Sequence, residues 1–192
     1  VVLRQRDFVQ GVGEACARCD IPFLLELLVY PLPGDAHQTT EYVEMQGKHA
    51  DHVLRSVADF ADPDYGVDIF KLESPVPAKA IGDGADGALQ KLFDEMGRIA
   101  GRPWVMLSAG AGMAEFEAVL RHAYAAGASG YLAGRAIWAE PFKAFPDWDA
   151  VRKRLRAESA PYMKRINALT DARAAPWHAH AIFGGAPPSH GL

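Results

Sequence analysis

Four times along this 192-residue chain a short apolar run is followed by a segment with helical periodicity. That alternation restricts the fold more than any other feature. A helical pattern over 3–19 comes first (Leu3, Phe8, Val9, Val12, Ala15, Cys16). The apolar runs are 22–30 (PFLLELLVY), 67–76 (VDIFKLESPV), 102–110 (RPWVMLSAG) and 129–138 (SGYLAGRAIW), and each reads as a strand. Helical patterns follow them over 41–60, 88–99, 113–126 and about 147–169, with turn clusters at 31–35 and 82–87. From Ala174 onward the chain is rich in Ala, Pro, Gly and His, so 1–173 reads as one α/β domain and 174–192 as a loose tail. Repeated strand–helix units predict parallel strands joined by right-handed crossovers. The strands are apolar on both faces, as expected of a sheet covered by helices. Two architectures fit: an open doubly wound sheet, or part of a (β/α)8 barrel. In either, function belongs at the carboxyl ends of the strands.

Composition excludes several alternatives. With 49% hydrophobic residues the chain can bury a core, and its net charge of −4 argues against non-specific binding to nucleic acid. No apolar run approaches the roughly 20 residues that span a bilayer; the longest, Ile21 to Tyr30, contains Glu26. The opening VVLRQRDF is too charged for a signal-peptide core, and a start at Val1 reads as a cut or processed end. Cys16 and Cys19 form a C-x-x-C late in a helical pattern, whereas a thioredoxin-like motif follows a strand and opens a helix. They read as two cysteines on a helix face in a reducing cytoplasm.

Two strands each carry a charge where the pattern asks for an apolar residue. In LLELLVY, alternation places Leu24, Glu26, Leu28 and Tyr30 on one face. A buried carboxylate without a partner costs roughly several kcal/mol, so Glu26 needs a cation, a hydrogen-bond network or a polar cavity. A structural ion pair meets that need, and so does a general acid/base. In VDIFKLESP, Ile69, Lys71 and Glu73 share one face while Phe70 and Leu72 share the other. If Phe70 and Leu72 pack on helices, Lys71 and Glu73 point into the barrel or cleft. A desolvated lysine becomes a neutral amine, a nucleophile able to form a Schiff base with a ketone. The plainer reading is a salt bridge from Lys71 to Glu26 or Glu73.

Two glycine-bearing strand ends complete the constellation. LSAGAGM (107–113) and LAGRAIW (132–138) both lead from strand to helix, where backbone N–H groups suit a phosphate. Arg135 adds a guanidinium fork for phosphate oxygens. Neither spacing matches a nucleotide-binding fingerprint. His49, His52, His178, His180 and His190, the acidic pair Asp83 and Asp86, and the basic run 152–156 carry no recognisable site pattern.

In this order, VDIFKLESPV, WVMLSAG and GYLAGRAIW resemble the class I tagatose 1,6-bisphosphate aldolase family, which includes sulfofructose-phosphate aldolases. GKHADHVLRSVADFADPDYGVD is similar to the family's segment leading into the lysine strand. The resemblance implies a (β/α)8 barrel, no metal or other cofactor, and a sugar-phosphate substrate, with a homo-oligomer left open. It implies that Lys71 forms the Schiff base and that Glu26 is the acid/base. Ser108, Ala109, Gly110, Gly134 and Arg135 would hold the ketone-side phosphate, with Glu73 as polar support. The products would be dihydroxyacetone phosphate and an aldehyde. Matched to the family, the four strands are the fifth to eighth of the barrel, so the first four units are absent from this sequence. A half-barrel that binds phosphate without turnover, or a phospho-sugar isomerase using Glu26 as base, are the competing functions.

Overall fold

The computed structural model describes residues 2–30, 50–82 and 87–183. Helix α1 (Val2–Cys19) leads into strand β1 (Leu24–Leu27); helix α2 (Ala50–Ala58) leads through a 3-10 turn (Pro63–Tyr65) into β2 (Ile69–Leu72). Helix α3 (Gly87–Ala100), strand β3 (Trp104–Leu107), helix α4 (Met113–Ala125) and strand β4 (Gly130–Leu132) follow. The chain continues through α5 (Arg135–Phe142), α6 (Trp148–Arg154), a π turn (Leu155–Ser159) and α7 (Ala160–Arg173). The turn cluster at 31–35, the start of the helix expected over 41–60, His49, Asp83, Asp86 and His190 lie outside the described residues.

The strands are all parallel and lie in chain order, β1-β2-β3-β4. Among the described residues there is no reversal of strand order, hence no switch point of the kind a doubly wound sheet builds. Register explains which side chains share a face. Leu25, Phe70 and Trp104 are lateral neighbours, as are Leu27, Leu72, Met106 and Tyr131. Phe70, Leu72, Trp104 and Met106 are buried against Val53, Val57, Phe93, Met96, Phe116 and Leu120 of α2, α3 and α4. Successive helices pack on one another (α2 on α3, α3 on α4, α4 on α5 and α7), so they form one layer over this face.

The other face differs from the expectation of helices on both sides. Its rows are Leu24 and Ile69; Glu26, Lys71, Val105 and Gly130; then Leu107 and Leu132. Leu24 is 41% and Leu132 44% exposed, and of the seven side chains in these rows only Leu107 is buried. An apolar row tells that a strand face is to be covered, not by what.

Local features fit the path. Gly13 lets α1 touch the 3-10 turn: a Cβ there would lie 2.1 Å from the Tyr65 carbonyl oxygen. Arg6 on α1 pairs with Asp59 at 2.7 Å. Asp68 accepts the Phe23 N–H at 2.7 Å, fixing the entry to β1 against the entry to β2. Glu117 of α4 takes Arg121 at 2.7 Å and Arg165 of α7 at 2.8 Å, joining the two helices, and both cations hold its carboxyl below the usual carboxylate range.

The fourth strand is shorter than the run 129–138 suggests. It ends at Leu132, and Arg135 to Trp138 form the first turn of α5 instead. Ala–Gly–Arg is where an apolar strand gives way to a helix; apolar composition continues across that junction, so period alone runs past it. The helical stretch expected over 147–169 extends to Arg173, through the π turn. Of the segment beyond Ala174, residues 177–183 hold two 3-10 turns, and the Ala175 N–H donates to the Ala128 carbonyl at 2.9 Å. Cys16 and Cys19 are free thiols on α1. No helix among the described residues is long and apolar enough to cross a membrane.

Candidate active site

The open face and the carboxyl ends of the strands bring the expected residues together in two groups. The first is the charged pair. Glu26 and Lys71 are register partners on adjacent parallel strands, so their side chains leave the sheet side by side. Lys71 Nζ lies 2.8 Å from Glu26 Oε2, with the lysine side chain 21% and the glutamate 38% accessible. Their apolar neighbours on this face are Ile69, Leu24 and Val105. The salt bridge named above as the plainer reading is therefore present. The same geometry sets an amine and a carboxylate within one proton transfer of each other. In an open row they remain within reach of a small molecule.

Glu73 takes a different course from Lys71. Strand β2 ends at Leu72, and Glu73 is 1% exposed. Its Oε1 accepts the Val29 N–H at 2.5 Å, which ties the carboxyl end of β1 to that of β2. A buried carboxylate needs such a donor to offset its loss of water. Next to it, buried Ser74 donates to the Val76 carbonyl at 2.6 Å, closing the loop after the lysine strand. Glu73 thus braces the rim on which Lys71 and Glu26 stand.

The second group lies at the ends of β3 and β4. After Leu107 the backbone reverses at once: the Ala111 N–H donates to the Ser108 carbonyl at 2.8 Å. The two residues between them, Ala109 (φ 49°) and Gly110 (φ 80°), are both left-handed, as in a type I′ turn. A left-handed alanine costs about 1 kcal/mol, so the turn is held by its surroundings. Ser108 and Ala109 are buried. Helix α4 then starts at Met113, with Glu115 Oε2 accepting the Gly112 N–H at 2.7 Å. Gly134 is the residue before α5, and Arg135 opens that helix. The two loops meet: the Cβ position of Gly110 is 3.8 Å from the Arg135 guanidinium carbon. Ser108, Ala109, Gly110, Gly134 and Arg135 therefore form one rim, with a guanidinium over a glycine turn and two helix starts beside it. Such a rim can take an oxyanion.

Trp138 lies outside the candidate residues of the sequence, because its segment reads as strand. The signal that could have found it is the spacing Gly134 to Trp138, one helical turn after a strand end.

Comparison with known proteins places this geometry in context. A profile described as DeoC/LacD family aldolase matches residues 4–140. A tagatose 1,6-diphosphate aldolase of Listeria monocytogenes serotype 4a (strain HCC23) is 31% identical over 181 residues, covering 88% of this chain and 53% of that protein. Its counterpart from Lactococcus lactis subsp. lactis is 29% identical over 186 residues (91% and 56%). Tagatose 1,6-diphosphate aldolase 1 of Streptococcus pyogenes serotype M3 (strain ATCC BAA-595 / MGAS315) is 31% identical over 186 residues, with the same coverage. The chain thus spans about half the length of the curated relatives it matches. The crystal structure of an archaeal fructose 1,6-bisphosphate aldolase aligns with a TM-score of 0.46 and 18% identity, over 80% of this chain and 52% of that one.

Proposed function

Because this chain belongs to the DeoC/LacD aldolase family, we propose that it is the nucleophile-bearing part of a Schiff-base aldolase. Its substrate is a ketose phosphate, of the tagatose 1,6-bisphosphate or sulfofructose 1-phosphate type. The observation that carries this reading is the 2.8 Å contact between Lys71 Nζ and Glu26 Oε2 on the open face. The names of the bacterial relatives support the substrate class.

Glu26 accepts a proton from the Lys71 ammonium, and the free amine attacks C2 of the ketone. Glu26 returns that proton to the carbinolamine hydroxyl, whose loss as water gives an iminium and leaves Glu26 ionised again. The C3–C4 bond then breaks: its electrons move into the iminium to form an enamine, while Glu26 takes the C4 hydroxyl proton and an aldehyde leaves. Protonation of the enamine at C3 and hydrolysis release dihydroxyacetone phosphate and the free amine. The rim of Ser108 to Gly110 and Gly134 to Arg135 holds the phosphate on the ketone half, which keeps C2 against Lys71.

The four units are, in this reading, strands five to eight of a (β/α)8 barrel. Sequential parallel order, one layer of helices and an open opposite face support it. So do the exposed apolar residues Leu3, Phe8 and Leu24 on the β1 side and Leu132 on the β4 side, where further units would pack.

Borohydride reduction with dihydroxyacetone phosphate tests the chemistry. The expected result is the mass of the reduced ketone on Lys71. A folded protein, restored to the length of its relatives, that gains no mass or gains it at another lysine overturns the proposal. Turnover is expected to be indifferent to a chelator; its loss would point to a metal-dependent aldol reaction instead.

A further inference from the structure

We infer that Trp138 is a positioning residue for the phosphate, its indole N–H donating to an oxyanion held between the two glycine loops. This rests on the phosphate site proposed above and adds a donor to it.

Trp138 stands one helical turn after Gly134, and side chains on a helix lean toward its N-terminus. A residue at this position therefore reaches back over the helix start. Here it does: the Cβ position of Gly134 lies 3.4 Å from Trp138 Nε1. The polar edge of the indole, not its apolar benzo edge, is the part beside the loop. Phe142 packs against the ring at 5.4 Å, with the planes 68° apart, and so limits how the indole can turn.

The two loop glycines are related by what covers them. Above the Cβ position of Gly110 is the guanidinium of Arg135; above that of Gly134 is the Nε1 of Trp138. Each bare glycine thus leaves room for a donor group from the same helix, α5. An indole N–H is a donor only. Among the described residues it makes no hydrogen bond, and the side chain is 42% exposed. Phenylalanine or leucine would cover Phe142 equally well. The nitrogen beside one glycine loop, with the Arg135 guanidinium of the same helix beside the other, fits an anionic acceptor such as a phosphate monoester, which offers several oxygens to such donors.

The test titrates the full chain, labelled with 15N, with inorganic phosphate and then with dihydroxyacetone phosphate. The four tryptophans give four indole signals, and the Trp138→Phe variant identifies one of them. The expected result is a shift of the Trp138 indole signal on adding either anion. Trp138→Phe, which keeps the ring against Phe142, should bind about tenfold more weakly, as loss of one hydrogen bond to a charged group does. Trp148→Phe, which removes another exposed tryptophan, should bind as before. Where Arg135→Ala abolishes binding but the Trp138 indole signal of the parent stays unmoved on adding either anion and Trp138→Phe binds as tightly as the parent, the inference about Trp138 is overturned and the phosphate site stands. Where the chain binds neither anion, or Arg135→Ala binds as tightly as the parent, the phosphate site and the inference fall together.

Discussion

The two faces of the sheet carry different duties. On one, Phe70, Leu72, Trp104 and Met106 lie at 2% exposure or less under a layer of helices. On the other, the same four strands present Glu26, Lys71 and Val105 in an open row bordered by exposed Leu24 and Leu132. Period-two alternation sets the two faces on adjacent residues: Phe70 and Leu72 belong to the buried core, and Lys71 between them is the residue to which the proposed chemistry is assigned. The lesson is that a change of one position along β2 should exchange a loss of activity for a loss of fold.

The largest expected effect breaks the open face alone. Lys71→Met should lower turnover by about 10⁴-fold or more, since a Schiff-base step has no substitute for its amine. Its urea midpoint should stay close to that of the parent, because a part-exposed ion pair is worth roughly 0–1 kcal/mol. Unfolding of this variant at markedly lower urea would show that the pair is structural. Next is Glu26→Gln, which keeps the shape but removes the base. A loss of about 10²–10⁴ in turnover is expected, and borohydride should still trap some ketone on Lys71. Turnover unchanged within twofold would remove Glu26 from the mechanism.

On the covered face, Phe70→Ala should cost about 3–5 kcal/mol of stability, read from the urea midpoint, while the protein that remains folded keeps its affinity for phosphate. A loss below 1 kcal/mol would mean that the helix layer is looser than its burial implies. The smallest effect lies furthest from the site. Arg165 and Arg121 hold the Glu117 carboxyl below its ordinary value of 4.5, so the folded state binds its proton less readily than the unfolded chain. This contribution is present above the ordinary carboxylate range and is lost as pH falls through the depressed value. Glu117→Gln should therefore flatten the acid limb of a stability profile by less than about 1 kcal/mol, with no change at the open face.

Much of this was legible in the chain itself, for a local reason. Whether a segment is helix or strand depends on residues three or four apart, or two apart, and those periods stand out in 3–19, 88–99 and 113–126. The helices at Val2–Cys19, Gly87–Ala100 and Met113–Ala125 follow them closely. Parity also sufficed to put Lys71 opposite Phe70 and Leu72, and an ion pair with Glu26 was one of its foreseeable partners. The junction at 133–134 was not legible, because apolar residues continue from β4 into the first turn of α5. Period alone therefore hides Trp138, whose proximity to Gly134 exists only once residue 138 is helical.

Other features needed the folded chain. Glu73 continues the parity of Lys71 in sequence, yet the strand stops before it and its carboxylate meets Val29, 44 residues away in the chain. The open face was equally hidden, since an apolar row looks alike whether helices or a further part of a barrel are to cover it. The sequence by itself determined which residues alternate, where the chain turns, and that a lysine and a glutamate interrupt two apolar strands. Only the tertiary structure decided the register that sets Glu26 beside Lys71 and the meeting of Arg135 with Gly110. Periodicity is a property of neighbours along the chain, whereas register and loop contacts depend on which distant segments the sheet brings side by side.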